Sequence, residues 1–242
     1  MKVLKSKEEI RQLVWDLLEE NNVVTFPRPV CGRIPNFVGA NVAAEKLDEL
    51  SLWRKARVIK SNPDSPQKWV RGNALKHGKI VYMAVPRLLE ERCFIKLDPK
   101  KISNIALAAT IKGAFRYGEK LFPEDMTDLD IVIAGSVAVN LHGAKIGKGG
   151  GFSDLEYAIC RECGIINEDT PIITTVHPLQ ILNYELPMEE HDVPLDYVIT
   201  RNEVLETDSL YLKPKGIDWN IIGHRIIDIP ILQKLKKGSI EF

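Results

Sequence analysis

The stretch Leu129-Asp-Ile-Val-Ile-Ala134-Gly135-Ser136, continued by Gly143-Ala-Lys145-Ile-Gly147-Lys148-Gly149-Gly150-Gly151-Phe152-Ser153-Asp154, decides how this chain is read. Leu129 to Ala134 is a strongly apolar run of strand length, ended by two small residues. The glycine-rich run behind it leads directly into a helical pattern, Phe152 to Cys163, closed by Gly164. Strand, glycine loop and helix in that order suit an anion. Consecutive glycines let backbone N–H groups approach without Cβ obstruction, and the helix start adds unpaired N–H groups and the positive end of its dipole. Lys145 and Lys148 add mobile cationic charge. The spacing is not the G-x-x-x-x-G-K-[ST] loop, because no Ser or Thr follows Lys148, nor is it G-x-G-x-x-G. On the residues alone, a phosphate site competes with a flexible connector. Asp154, just inside the helix, is either a partner of the helix dipole or a Mg²⁺ ligand beside phosphates.

Outward from this core, strands and helices alternate. Ser6 and Glu9 form a capping-box pattern, and Ile10, Leu13, Val14, Leu17 and Leu18 recur at helical spacing, so an amphipathic helix starts near Lys7. Lys7 and Arg11, four apart, share one face of it, which alone reads as a solvated helix end. Ala40 to Trp53 reads as a second helix. Ala56–Lys60, Lys79–Val85, Pro171–Val176 and Asp196–Thr200 read as strands, with a helix from Pro66 through His77. Short apolar strands separated by helices predict a mostly parallel, Rossmann-like sheet covered on both faces, an α/β three-layer sandwich. Ligands on such sheets sit beyond the carboxyl ends of the strands. No linker divides the chain, so residues 1–242 read as a single domain.

Composition narrows the class further. Lys plus Arg and Asp plus Glu both total 33, and this zero formal charge disfavours a protein that coats nucleic acid. No apolar run approaches the roughly 20 residues that span a bilayer, and the charged N-terminal segment does not resemble a signal peptide. Four cysteines in 242 residues suggest a reducing compartment, hence a soluble cytoplasmic protein. Cys160 and Cys163 form a C-x-x-C without a second pair, which reads as two small helix residues before Gly164. His191-Asp192 reads either as a turn or as acid–base machinery.

Taken together, these segments resemble the 5-formyltetrahydrofolate cyclo-ligase family, also called methenyltetrahydrofolate synthetases. The family's Lys-x-x-x-Arg pair is matched by Lys7 and Arg11, and its R-x-G-x-G-x-G-Y-Y-D loop by Lys145 to Asp154. Downstream, Pro187, His191, Asp192, Asp196 and Thr200 match its proline, His-Asp, Asp and strand-ending Thr. Ile34-Pro-Asn-Phe-Val-Gly-Ala40, Asn62-Pro-Asp-Ser-Pro-Gln67, Ala84-Val-Pro-Arg-Leu88 and Asp154-Leu-Glu156 resemble the domain-containing sub-branch of that family more closely. The resemblance implies a cyclo-ligase-like α/β sandwich and an ATP- and Mg²⁺-dependent reaction in which the formyl oxygen of 5-formyltetrahydrofolate is phosphorylated and the ring closes to 5,10-methenyltetrahydrofolate. It implies phosphate binding by Lys7, Arg11, Lys145 and Lys148 on a loop shaped by Gly147, Gly149, Gly150 and Gly151, with Arg11 and Lys148 catalytic. Asp154 would serve Mg²⁺, and Phe152 and Ser153 would contact the reduced folate or another heterocycle. Ser153 and Leu155 depart from the family's tyrosine and basic residue, and the family's E-x-D-T segment, which helps hold folate, has no counterpart at Asn62 to Gln67. A non-catalytic nucleotide-binding or RNA-associated module, or a different enzyme on the same sheet, are the competing expectations.

Overall fold

The protein was studied as a computed structural model, in which residues 5–223 and 225–238 are described. Its first helix, Lys7–Glu20, starts with a full capping box. The Ser6 hydroxyl accepts from the Glu9 N–H at 3.2 Å, and the Glu9 carboxylate accepts from the Ser6 N–H at 2.7 Å. The helix buries Ile10, Val14, Trp15 and Leu18. Leu13 stays exposed, because the buried face is turned toward Trp15, whose indole N–H donates to the Arg33 carbonyl at 3.0 Å. The expected single helix from Ala40 to Trp53 is instead broken. Helical turns at Ala40–Lys46, Leu47–Glu49 and Ser51–Lys55 are separated by Leu50 in extended conformation. The break lets the Asp48 carboxylate accept from the Trp53 indole at 2.9 Å while the ring itself is fully buried.

Ten strands lie among the described residues, in chain order β1 (Val58–Ser61), β2 (Ile80–Ala84), β3 (Phe94–Leu97), β4 (Glu119–Leu121), β5 (Ile131–Ala134), β6 (Ala138–Val139), β7 (Lys145–Ile146), β8 (Ile172–Thr175), β9 (Tyr197–Ile199) and β10 (Val204–Glu206). Eight of them form one sheet in the order β10-β9-β8-β5-β1-β2-β3-β4. The central run β9-β8-β5-β1-β2 is parallel, and β3, β4 and β10 add antiparallel edges. Side chains alternate across the sheet as the pleat requires. Tyr82, Ala84, Val132, Ala134, Ile172 and Val198 enter one apolar cluster with the helix Phe152–Glu162. Val81, Met83, Ile131, Ile133, Ile173 and Ile199 enter the other, with the helices Ala40–Lys46 and Gln67–Lys76. Both faces are therefore covered, which is the three-layer α/β sandwich expected from the apolar strands.

The chain winds from β1 to β2 on one side and then places β5 on the other side of β1. The strand order thus reverses between β1 and β5, where a crevice opens at the carboxyl ends of the strands. One element absent from the sequence reading is the β6–β7 hairpin, which stands between β5 and the glycine loop. A third apolar cluster joins Val137, Ala138, Ala144 and Ile146 of the hairpin region to Ile10, Val14, Trp15 and Leu18 of the first helix. That packing carries the N-terminal helix to the mouth of the crevice.

Candidate functional site

The crevice is a cleft of about 480 Å³ lined by residues from several separate segments, among them Arg33, Asn62, Asp64, Arg87, Gly135, Lys148, Phe152, Asp154 and Glu156. Its floor is the reversal point itself. The Asn62 N–H donates to the Ile133 carbonyl at 3.1 Å, and the Asn62 side-chain oxygen accepts from the Gly135 N–H at 2.9 Å, tying the ends of β1 and β5 together. A Cβ at Gly135 would crowd the floor, lying 3.1–3.2 Å from side-chain atoms of Gln67, Ile34 and Asp64.

The glycine loop is shaped by left-handed backbone at two points, Gly149 with φ 101° and Gly151 with φ 64°, conformations in which a Cβ is strained. Gly151 caps the helix Phe152–Glu162, so the first turn of the helix opens at the loop. Arg11 pins the loop from the first helix. Its Nε donates to the Gly147 carbonyl at 2.8 Å, and its Nη1 pairs with Glu8 at 2.6 Å. Lys7, one turn earlier, reaches Asp192 at 2.5 Å and Glu189 at 3.1 Å. Desolvation works against the Lys7 charge, but these two carboxylates outweigh it and its pKa is raised. Lys7 and Arg11 are therefore partnered residues beside the loop rather than a solvated helix end. Asp192 also closes a turn by accepting from the Glu189 N–H at 2.7 Å, so the His191-Asp192 pair is a turn with Asp192 turned to Lys7.

The two loop lysines differ. Lys148 is half-exposed and spans to Asp64, 2.5 Å away, linking the loop to the segment after β1. Lys145 is not the mobile charge expected of a loop: it opens β7, is buried, and donates to Asp154 at 2.9 Å. The same Asp154 oxygen accepts from the Val193 N–H at 3.2 Å, so Asp154 is held in place from two sides at the cleft wall. Among the described residues no group of three or more His, Cys, Asp or Glu side chains could hold a metal ion; Asp154 and Asp64 are the aspartates that line the cleft, each paired with a lysine. Phe152 lines the cleft. Ser153 turns inward, its hydroxyl donating to the Asn62 side-chain oxygen at 3.1 Å.

Three polar residues of the floor went unweighted in the sequence. Glu156, two residues beyond Asp154, is 3 % exposed, and its Oε2 accepts from the Asn62 amide at 2.6 Å and forms a close ion pair with the buried Lys60. Burial pushes the Glu156 carboxyl up, with Lys60 and Asn62 opposing that shift. A buried acid inside the stripe Phe152, Ile159, Cys160, and a buried base in the apolar β1, were the signals that could have found them. Arg87 also lines the cleft, in left-handed backbone with φ 61°, and has no ion pair among the described residues. The C-x-x-C is structural: Cys160 is buried and its thiol is pushed up to about 12 by desolvation.

No helix among the described residues is long and apolar enough to cross a membrane. A bovine methenyltetrahydrofolate synthase domain-containing protein is 39 % identical over 236 residues, and the human protein of that name 36 % over 236. These matches cover 96 % of this chain but 62 % and 61 % of the relatives, so the chain spans about three-fifths of their length. Among solved structures, the 5,10-methenyltetrahydrofolate synthetase of Aquifex aeolicus shares the fold, with a TM-score of 0.52 at 18 % identity over 83 % of this chain and 92 % of that one. The family model described as the 5-formyltetrahydrofolate cyclo-ligase family matches residues 3–201, which takes in the first helix, the whole parallel sheet and the glycine loop, and the chain belongs to that family.

Proposed function

We propose that this chain is an ATP- and Mg²⁺-dependent cyclo-ligase that converts 5-formyltetrahydrofolate, or a closely related reduced pterin, to its 5,10-methenyl form. One observation carries the reading: the first helix delivers Arg11 onto the carbonyl of Gly147, so a cation of one segment and the anion-binding loop of another form one wall of the cleft. Family membership and the names of the relatives support the substrate class. Bound ATP supplies the phosphoryl group, and Mg²⁺ neutralises charge on it. The rest is positioning by the chain. Loop N–H groups between Gly147 and Gly151 hold phosphate oxygens, and Lys148 trades Asp64 for a phosphate. Arg11 stabilises charge on the transferring group, and Asp154, held by Lys145 and Val193, presents its carboxylate to the cation. Phe152 packs on the pterin at the cleft wall. A second cavity of about 680 Å³, sharing Pro27, Pro63, Ser65 and Ile111 with the first and carrying Lys68 and Trp69, leaves room for the remainder of two ligands. We further read the chain as one unit acting in the cytoplasm on a small molecule, with no nucleic acid partner.

The test is a spectrophotometric assay with 5-formyltetrahydrofolate, ATP and Mg²⁺, following methenyl absorbance, repeated with the cation chelated. Product that requires both ATP and the cation is the expected result; tight ATP binding without product sinks the folate assignment. Lys148→Ala is expected to weaken ATP binding about tenfold, the worth of one charge-assisted contact at an exposed position, with no loss of thermal stability. An unchanged ATP affinity in a calorimetric titration removes Lys148 from the phosphate site.

A further inference from the structure

The floor of the cleft holds a carboxyl group that the phosphate chemistry does not use. Glu156 is almost fully buried, yet it lines the cleft. Both of its partners, Lys60 and Asn62, take the same oxygen, Oε2. Oε1 accepts from none of the described residues and is not among the fully buried side-chain atoms without a partner, so it is the oxygen that can be reached from the cleft. Its surroundings are rigid: Asn62 is fixed by Gly135, Ser153 and Ile133, and the Arg71 guanidinium donates to the Asn62 carbonyl at 2.5 Å. The carboxyl is thus preorganised rather than mobile.

We propose that Glu156 is a specificity-determining residue that accepts, at Oε1, an N–H of the heterocycle seated on the cleft floor. The ligand class is a ring whose edge carries an amino group beside a ring N–H, as the 2-amino-4-oxo edge of a pterin does. A carboxylate oxygen meets such an edge as a charge-assisted acceptor. This deepens the proposed function and rests on it for the substrate class.

The experiment is a calorimetric titration of wild type and Glu156→Gln with 5-formyltetrahydrofolate, with its 2-desamino-2-methyl analogue, and with ATP. Wild type is expected to prefer the amino-bearing ligand at least tenfold. Glu156→Gln should lose about tenfold or more in folate affinity, lose that preference, and bind ATP as wild type does. Folate affinity within twofold of wild type, with the preference intact, overturns the assignment. So does a wild type that ignores the amino group or binds neither pterin. Should Glu156→Gln fail to fold, Lys60→Met/Glu156→Gln, which buries no lone charge, takes its place with the same expected outcomes. The two readings separate cleanly. Discrimination between the ligands without ATP-dependent product supports the Glu156 role and overturns the reaction. Product formed by the variant at an unchanged KM for folate keeps the reaction and overturns the role.

Discussion

Replacing Arg11 with alanine is expected to lower ATP-dependent turnover by about 10²–10³-fold, the usual cost of removing one preorganised donor from a developing charge. Two losses combine in that variant. The cationic group beside the loop disappears, and so does the 2.8 Å hydrogen bond that holds the Gly147 carbonyl. The guanidinium lies 3.4 Å from where a Cβ on Gly149 would stand, so it also backs the loop at its most unusual backbone conformation. The helix itself should survive, because its stability comes from Ile10, Val14, Trp15 and Leu18 and from the capping box. Steady-state kinetics and thermal unfolding together check this. Arg11→Lys should recover only part of the rate, since an ammonium lacks the fork that serves carbonyl and phosphate together. Turnover within threefold of wild type in Arg11→Ala would place Arg11 outside the chemistry.

Lys60→Met is expected to be the most destabilising single change on the cleft floor, by about 3–5 kcal/mol, because it strands Glu156 as a buried charge with only the Asn62 amide for company. Volume is nearly kept, so the loss reads electrostatics rather than a cavity. Denaturant unfolding measures it directly. The double variant Lys60→Met/Glu156→Gln should recover most of the loss, as a buried pair exchanged for neutral groups of similar size is often close to neutral. A loss below about 1 kcal/mol in the single variant would mean that Glu156 does not depend on Lys60 for its charge.

The alternating elements were legible because their residues obey local rules. Ser6 and Glu9 announce the first helix, and the apolar run Leu129 to Ala134 has the length of a buried strand, which the structure places at Ile131–Ala134. The segments missed are those whose existence depends on distant neighbours. The antiparallel edge strands β3, β4 and β10 are three or four residues long and acquire their pairing from the sheet beside them. The β6–β7 hairpin is two residues per strand and is held by the first helix through packing that no local pattern encodes.

By itself the sequence determined the layered α/β architecture, the glycine-rich loop leading into a helix and the family, since periodicity, glycine placement and motif order are properties of the chain. Only the tertiary structure decided which charges matter and how. Lys145 and Lys148 are alike in sequence, but the start of β7 buries one against Asp154 and leaves the other half in solvent against Asp64. Lys60, Asn62 and Glu156 lie up to 96 positions apart and become one network only where β1 and β5 diverge. Burial, and with it the strength of every charge, is a property of position in space; a linear pattern carries residue types and spacings but not the distance to water.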